Sequence, residues 1–329
     1  MMPKVSVIIP VYNGEKTIEK TVKSVLNQTL TDFELIVING DSCDSTFNIV
    51  NNIQDSRIKI FNYPKANVAV NRNRGIKHAS GECITFLDAD DLWTPDKLEE
   101  QYKALQENPQ AMVSYSWTDA IDNDDKFLRP CSHANWVGNV YSKLLLDDFI
   151  GSGSNAMIRS VAFTEVGIFN ESLTNAQDTD MWVRLATRYD FVPIKKVQIL
   201  YRISSNSMSS DVLGLEVSNL RVAEQAFATV PSSLKHLKAH RIANIYKLLC
   251  YKSLSMPPGQ QKTAAIIRFL WLAVKTDPSL LYKPVIYKAW LKLAVMTLLP
   301  SQWSTALLDK FPRLSNTTTF LGYIKLDLA

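Results

Sequence analysis

The stretch Cys83-Ile84-Thr85-Phe86-Leu87-Asp88-Ala89-Asp90-Asp91 joins a largely apolar run directly to three carboxylates. The run Cys83–Leu87 predicts a buried strand, so the carboxylates should emerge together where the carboxyl end of that strand meets solvent. Like charges this close repel one another unless a positive charge lies among them. In proteins this positive charge is usually a hard divalent cation, which binds carboxylate oxygens and also holds a phosphate group. The alternative is a solvated acidic turn that caps a helix starting near Pro95.

Strand-like and helix-like segments alternate on both sides of this stretch. The predicted strands cover residues 4–10, 33–38, 58–63, 83–87, 112–117, 155–159 and 197–203, with a flexible turn at 151–154. The predicted helices cover residues 13–27, 45–52, 68–79, 94–107, 161–166 and 178–188, and the chain looks helical from about 213 onward. This alternation predicts an α/β fold with a mostly parallel sheet covered on both faces. We expect a catalytic domain at 1–212 and a helical C-terminal region at 213–329.

Composition describes a globular protein: 46% of the 329 residues are hydrophobic and 21% are charged. No basic, apolar leader precedes the first predicted strand, so we expect no secretory signal. The four cysteines are scattered without metal-binding or disulfide-like spacing, which favours free thiols in a reducing cytoplasm. We therefore expect a cytoplasmic protein.

Polar groups follow the predicted strands at the edge where ligands bind in open parallel sheets. The first strand ends in Pro10, Val11, Tyr12 and Asn13, which offer an aromatic face and an amide. The second strand ends in Asn39, Gly40 and Asp41, and the fourth ends in Asp88 and Asp90. Three separate segments thus converge, which favours a nucleotide site beside a metal site over a coincidence of polar turns.

Five separated segments resemble, in order, the signature segments of the family 2 inverting glycosyltransferases. They are Pro10-Val11-Tyr12-Asn13-Gly14, Arg72-Asn73-Arg74-Gly75-Ile76, Phe86-Leu87-Asp88-Ala89-Asp90-Asp91, Val166-Gly167-Ile168-Phe169-Asn170-Glu171 and Ala176-Gln177-Asp178-Thr179-Asp180-Met181-Trp182-Val183-Arg184. The resemblance runs from about residue 4 to about 208. It implies the nucleotide-sugar-binding GT-A fold and a glycosyltransferase activity, but it is not specific to any donor or acceptor.

The resemblance also implies a role for each matching residue. The segment from Pro10 through Tyr12 to Asn13 should lie along the base and ribose of the donor. The turn Asn39, Gly40, Asp41 matches the acidic position near the base, and Arg72 matches an arginine beside the donor pocket. Asp88 should contact the ribose or the metal, Asp90 should bind the metal that bridges the diphosphate, and Asp178 should be the catalytic base.

Three positions depart from the family pattern. Two acids usually precede a glycine in the second turn, whereas Asn39 and Gly40 precede Asp41 here. The residue before the base is usually glutamate and here is Gln177. Ser204 stands where a histidine is common, so no role near the diphosphate is expected of it.

Sugar transfer from a nucleoside diphosphate passes through an oxocarbenium-like state, as in glycoside hydrolysis. The leaving diphosphate gains negative charge, which a bound cation neutralises. An all-oxygen site at Asp88 and Asp90 suits Mg²⁺ or Mn²⁺ better than Zn²⁺. A carboxylate on the opposite face of the sugar must take the proton of the acceptor, and Asp178 lies at the start of a predicted helix whose dipole keeps it ionised.

The charge is divided unevenly along the chain. Residues 1–213 hold 21 Lys and Arg against 27 Asp and Glu, a net of −6, whereas residues 214–329 hold 15 against 5, a net of +10. Two apolar helical stretches, Ile266–Val274 and Val285–Leu299, are each shorter than the ~20 apolar residues of a membrane span. Trp271, Trp290 and Trp303 with nearby lysines suit helices lying on an anionic bilayer surface. The alternative is an ordinary helical subdomain.

These observations predict a metal-dependent transferase that uses a nucleoside-diphosphate sugar, UDP-linked, and a saccharide or lipid-linked acceptor in surface polysaccharide synthesis. A peripheral position on the cytoplasmic face of the membrane follows, and no nucleic acid partner is expected.

One alternative is a haloacid-dehalogenase phosphatase, although its motif normally lies on the first strand. Another is a non-catalytic sugar-nucleotide-binding module, which would not need Asp178. No Gly-x-Gly-x-x-Gly follows an early strand, which argues against a nicotinamide dehydrogenase.

Overall fold

The first half of the chain forms a parallel set of strands in a computed structural model, which describes residues 2–204, 211–256 and 262–325. The strands are β1 (Val5–Val11), β2 (Phe33–Asn39), β3 (Ile58–Asn62) and β4 (Cys83–Phe86). They lie in the order β3-β2-β1-β4 and all pair in parallel. Every residue of β1 and β2 is buried, because apolar side chains alternate onto two covered faces. The predicted parallel sheet is therefore present in this half.

The second half extends the same sheet with mixed pairing. It contributes β5 (Leu92–Trp93), β6 (Ala111–Ile121), β7 (Phe127–Pro130), β8 (Met157–Arg159) and β9 (Asp190–Arg202). The full order is β3-β2-β1-β4-β8-β6-β9-β5, with β7 paired to β6. Because β8 is antiparallel to both β4 and β6, β4 and β6 point the same way and their carboxyl ends share one edge.

Helices connect these strands. They are α1 (Ile18–Leu26), α2 (Thr46–Asn51), α3 (Val68–His78), α4 (Lys97–Glu107), α5 (Tyr141–Leu146), α6 (Ala162–Val166) and α7 (Gln177–Ala186). The predicted helix start at Asn13 is wrong, since Asn13 takes a left-handed φ of 53° and α1 begins at Ile18. The start predicted at Thr94 is also early, because α4 begins at Lys97. The short strands β5 and β7 were not predicted, and neither has a long apolar alternation.

The chain divides into two compact units, Met1–Leu144 with Asp148–Ser204, and Leu145–Asp147 with Ser205–Ala329. The second unit contains α8 (Val212–Thr229), α9 (Leu237–Leu254), α10 (Thr263–Thr276), α11 (Pro284–Leu298), α12 (Ser301–Lys310) and α13 (Pro312–Ser315). Its apolar core includes Leu249, Phe269 and Leu293. Lys247 is fully buried there and pairs with Asp277 at 2.8 Å. Within the described ranges, no helix has the length and apolar character needed to span a bilayer.

Candidate active site

The aspartate turn after β4 splits its three carboxylates between two environments. Asp88 and Asp90 are partly exposed, whereas Asp91 is fully buried. The expectation that all three emerge into solvent is therefore wrong for Asp91. Its carboxylate accepts a hydrogen bond from the Ser154 hydroxyl at 2.6 Å and another from the Arg202 backbone N–H at 2.9 Å. Burial, together with the charges of Asp90 and Asp88, raises the pKa of Asp91 well above its ordinary value.

The carboxylate of Asp88 is held by a buried arginine. Arg72 Nη2 lies 2.7 Å from Asp88 Oδ1, and the Arg72 side chain is only 1% exposed. Its guanidinium carbon lies 5.3 Å from the ring centre of Phe169. At Gly153, an added Cβ atom would lie 2.1 Å from Arg72 Nη2, so only glycine leaves room for this guanidinium. Arg72 Nε and Nη1 have no hydrogen-bond partner among the described residues, so the arginine keeps unused donors beside Asp88.

The carboxylate of Asp90 forms no ion pair within the ranges that the structure describes. Burial and the charge of Asp88 raise the pKa of Asp90 to about 6. Arg202 lies close by, but its Nε donates to the backbone carbonyl of Asp90 at 2.8 Å and its Nη2 pairs with Asp125. A carboxylate left without a cation beside another carboxylate is the arrangement that a divalent ion would stabilise.

The ends of β1 and β2 are joined by a polar network. The Asn13 backbone N–H donates to the Ser42 hydroxyl at 2.9 Å, and Asn13 Oδ1 accepts the Cys43 N–H at 2.9 Å. Asn39 Oδ1 in turn accepts the Ser42 N–H at 3.3 Å. These contacts with the residues that follow β2 support the left-handed backbone of Asn13. They also hold together the ends of β1 and β2, the two segments predicted to bind the base and ribose of the donor.

The remaining predicted donor residues differ in exposure. Tyr12 is 41% exposed, and Lys65 Nζ lies 4.1 Å from its ring centre. Pro10 is buried within β1, whereas Asp41 is exposed and has a left-handed φ of 64°. Gly40 donates its N–H to the Val11 carbonyl at 2.9 Å. Tyr12 and Asp41 therefore offer accessible groups, while Pro10 and Gly40 shape the backbone.

Asp178 lies in the first turn of α7 and is partly exposed. Its Oδ1 accepts the Thr179 N–H at 2.9 Å. The preceding Ala176 takes a left-handed φ of 55°, an uncommon conformation for alanine and a sign of a constrained helix start. Asp180, the nearest competing carboxylate, is only 8% exposed and pairs with Arg184 at 2.8 Å. Asp178 is thus the acid of this turn that is accessible.

Residues 148–154 contact both the start of α7 and the aspartate turn. Asp148 Oδ2 accepts the Thr179 hydroxyl at 2.7 Å, and Asp148 Oδ1 accepts the N–H groups of Ile150 and Gly151. At the other end, Ser154 bonds to Asp91 and its oxygen accepts the Asp88 N–H at 3.0 Å. One short loop therefore supports the elements that carry Asp178 and Asp88.

Sequence reasoning missed the side chains that hold this site together. Residues 151–154 were predicted as a flexible turn, yet Ser152 is 4% exposed and Ser154 is fully buried. A run of alternating glycine and serine carries little apolar signal, so its burial could be inferred only from its partners. Asp91 and Arg202 were likewise not predicted to act on the turn. In the part of the chain that the structure describes, no three acidic, histidine or cysteine side chains form a metal cluster.

Comparison with known proteins identifies the family. The sequence profile described as "Glycosyltransferase like family 2" matches residues 6–253. An uncharacterized glycosyltransferase of Rickettsia bellii is 35% identical over 186 residues, 56% of this chain and 26% of that protein. The chain spans about a quarter to a third of the length of the first Rickettsia relatives that it matches.

A second relative is covered more completely. The Escherichia coli protein named UDP-Glc:alpha-D-GlcNAc-diphosphoundecaprenol beta-1,3-glucosyltransferase WfgD is 33% identical over 231 residues, 65% of this chain and 87% of that protein. Among solved structures, the mannosyltransferase PcManGT from Pyrobaculum calidifontis, in complex with GDP-Man and Mn²⁺, has a TM-score of 0.59. That likeness covers 95% of this chain and 88% of that chain at 17% identity, and so concerns the fold.

These matches confirm the predicted family resemblance and the predicted GT-A fold, and they decide against the phosphatase alternative. The matched region contains the aspartate turn, Arg72 and Asp178. The chain belongs to the glycosyltransferases like family 2.

Proposed function

We propose that this protein is a metal-dependent inverting glycosyltransferase that moves a sugar from a nucleoside-diphosphate sugar to an acceptor hydroxyl. The observation that carries the proposal is the pairing of Arg72 with Asp88 beside the unpaired Asp90, at the sheet edge that also carries Tyr12 and Asn13. This arrangement holds Asp88 in place by a buried positive charge and leaves Asp90 without an ion pair at the edge where a cation-bound diphosphate would lie. The catalytic domain is residues 1–212, and residues 213–329 are a basic helical region.

Asp90 and Asp88 would hold Mg²⁺ or Mn²⁺. Their carboxylates fit such an ion because Asp90 forms no ion pair among the described residues and has a pKa raised to about 6 by burial and by Asp88. A bound ion supplies neutralisation of the charge that develops on the leaving diphosphate. The Pyrobaculum mannosyltransferase, which shares the fold, was solved in complex with Mn²⁺, and this supports a divalent cation as the partner of the donor.

The donor would lie across the ends of β1, β2 and β4. Tyr12 offers an exposed ring to the base, while Asn13, Asn39 and Asp41 offer polar groups to the base and ribose. Arg72 orients Asp88 through its buried guanidinium. We propose a UDP-linked sugar, supported by the UDP-Glc named for the E. coli relative.

Asp178 would act as the catalytic base. It is the accessible acid of its turn and lies in the first turn of α7. In an inverting displacement it takes the proton from the acceptor hydroxyl as that oxygen attacks the anomeric carbon. The bond from this carbon to the diphosphate breaks on the opposite side.

The acceptor would be a saccharide or a lipid-linked saccharide in surface polysaccharide synthesis. The diphosphoundecaprenol-linked GlcNAc named for the E. coli relative supports this class. The helical unit also exposes large apolar side chains, with Trp271 at 56%, Trp290 at 43% and Trp303 at 72%. Lys275 Nζ lies 4.8 Å from the Trp271 ring centre. We propose that this basic, aromatic surface lies on the cytoplasmic face of an anionic membrane.

The test compares donor turnover by the full chain with that of three variants. UDP release from UDP-glucose and UDP-N-acetylglucosamine is measured with and without Mn²⁺, alongside thermal shifts that report donor binding. Asp178→Asn should lower turnover by about 10²–10⁴-fold and keep the thermal shift. Asp90→Asn should remove the Mn²⁺ dependence of that shift, and Asp124→Asn, an exposed acid, is the control. Unchanged turnover in Asp178→Asn would show that Asp178 is not the catalytic base, and the protein would then be a binding module or use another base.

A further inference from the structure

A stacked tryptophan–histidine pair joins Trp117 of β6 to His133 in the loop after β7, outside the groups assigned above. The rings of Trp117 and His133 have centroids 4.7 Å apart and planes 13° apart. His133 Nε2 lies 2.7 Å from Asp119 Oδ1, and Trp117 Nε1 donates to Asn135 Oδ1 at 3.0 Å. Trp117 and Asp119 are two residues apart and thus share one face of β6. The cluster combines an aromatic face with a carboxylate and an amide.

The pairing of strands brings this cluster beside the aspartate turn. The Asp88 N–H donates to Ser154 Oγ at 3.0 Å on one side of the segment leading into β8. On its other side the Ser116 N–H donates to Asn155 Oδ1 at 2.8 Å. Trp117 is the residue after Ser116, so it and Asp88 lie at the same level of the sheet on either side of that segment. The nucleotide-facing ends of β1 and β2 lie beyond Asp88, away from Trp117.

The loop that carries His133 also contacts the loop that supports Asp178. The Ser132 hydroxyl donates to the Phe149 carbonyl, next to Asp148. Asp148 accepts the Thr179 hydroxyl at 2.7 Å, one residue from Asp178. The stacked pair is therefore linked to the catalytic-base side of the site and separated from the nucleotide side.

We propose that Trp117, His133 and Asp119 form a subsite that binds a pyranose ring of the acceptor saccharide, an inference that rests on the proposed transferase function. Aromatic faces bury the apolar C–H face of a sugar ring, and a neighbouring carboxylate or amide bonds its hydroxyls. The His133 side chain is 35% exposed and that of Asp119 is 15% exposed, so both remain reachable.

An alternative role for Trp117 is to anchor the loop that carries His133, and this role explains the contacts of Trp117 but not the position of His133. The indole N–H of Trp117 does tie down Ala134 and Asn135. His133 makes neither of these backbone-loop contacts, and its side chain is 35% exposed. Replacing His133 therefore separates sugar binding from loop anchoring.

The experiment uses the full chain labelled with 5-fluorotryptophan, in which Trp117→Phe assigns one of the seven tryptophan resonances. Methyl glycosides of glucose, galactose and N-acetylglucosamine are titrated at millimolar concentrations in the presence of UDP and Mn²⁺. At least one glycoside should shift the Trp117 resonance saturably. His133→Ala should raise the dissociation constant of that glycoside about fivefold, which is the effect of losing one aromatic contact. The thermal shift caused by UDP should stay the same.

The matched control is His78→Ala, which removes a histidine stacked on Phe61 at 3.7 Å in the same unit. This variant should bind the glycoside like the unmodified chain. A Trp117 resonance that no glycoside moves, or equal glycoside affinity in His133→Ala, overturns the subsite. Failure of the transferase function is a separate result, since it would appear as no UDP thermal shift and no donor turnover.

Discussion

The Ser154 hydroxyl bridges the buried Asp91 carboxylate and the backbone of Asp88. It donates to Asp91 Oδ2 at 2.6 Å and accepts the Asp88 N–H at 3.0 Å. The aspartate turn is thus held from inside the protein by one of its own carboxylates. Thr21 Oγ1 adds contacts to the carbonyls of Ala89 and Asp91 at 3.0 and 2.9 Å. The orientation of the Asp88 and Asp90 side chains depends on this buried network, because its hydrogen bonds fix the backbone of the turn that carries them.

Ser154→Ala should destabilise the protein and weaken its response to Mn²⁺. The change removes a partner from a fully buried carboxylate and from a backbone N–H, at a cost of about 1–3 kcal/mol in the free energy of unfolding. Urea unfolding measures the stability, and UDP release against Mn²⁺ concentration measures the site. Ser172→Ala, on an exposed loop, is the control. If both variants show the same Mn²⁺ dependence, Ser154 does not support the metal-binding residues.

Gly153→Ala should disrupt the pairing of Arg72 with Asp88. The new Cβ atom would lie 2.1 Å from Arg72 Nη2, and the arginine is too buried to move aside freely. We expect a loss of about 1–3 kcal/mol in stability from overpacking, together with a weaker thermal shift by UDP-sugar. Gly322→Ala meets no atom within 4 Å and should change neither quantity. A full UDP-sugar shift in Gly153→Ala would contradict the role given to Arg72.

Glu34→Gln should reduce stability in a pH-dependent way. Burial alone would raise the pKa of Glu34, but hydrogen bonds from Lys59, Ser6 and Ser80 outweigh it and lower the pKa from 4.5 to about 2. A lowered folded-state pKa stabilises the protein above pH 4.5, and this contribution is lost as the pH falls towards 2.

The unfolding free energy of Glu34→Gln should therefore lie about 2 kcal/mol below that of the unmodified chain at pH 7, and the difference should shrink below pH 4.5 and close near pH 2. Urea unfolding at a series of pH values measures the difference. Glu99→Gln, an exposed acid, should show no such trend. A difference that stays constant between pH 7 and pH 3 would assign the loss to packing instead of charge.

Replacing exposed tryptophans of the helical unit should reduce binding to anionic vesicles. Trp290→Ser with Trp303→Ser removes two large apolar groups from the proposed membrane surface, and sedimentation with vesicles containing anionic lipid at low salt measures the loss. We expect a reduction of about tenfold or more, since each buried aromatic side chain contributes about 1.5–3 kcal/mol. Phe127→Ser, 61% exposed in the other unit, is the control. Equal sedimentation of both variants would contradict membrane contact through these helices.

Local sequence determined much of this protein. The apolar runs of β1, β2 and β4 and the acids after β4 were recognisable because strand burial and turn polarity are properties of neighbouring residues. The family resemblance was carried by short motifs for the same reason. Helix starts were less predictable, as at Asn13, where contacts with Ser42 and Cys43 impose a left-handed backbone.

Tertiary structure alone decided which polar groups support the site. Asp91 turns inward because it meets Ser154 and Arg202, which follow it by 63 and 111 residues. The Trp117–His133 stack likewise depends on a loop folding back onto β6. Hydrogen-bond partners of buried polar groups are set by strand order and register, which bring distant segments together, and no local pattern of residues encodes those distances.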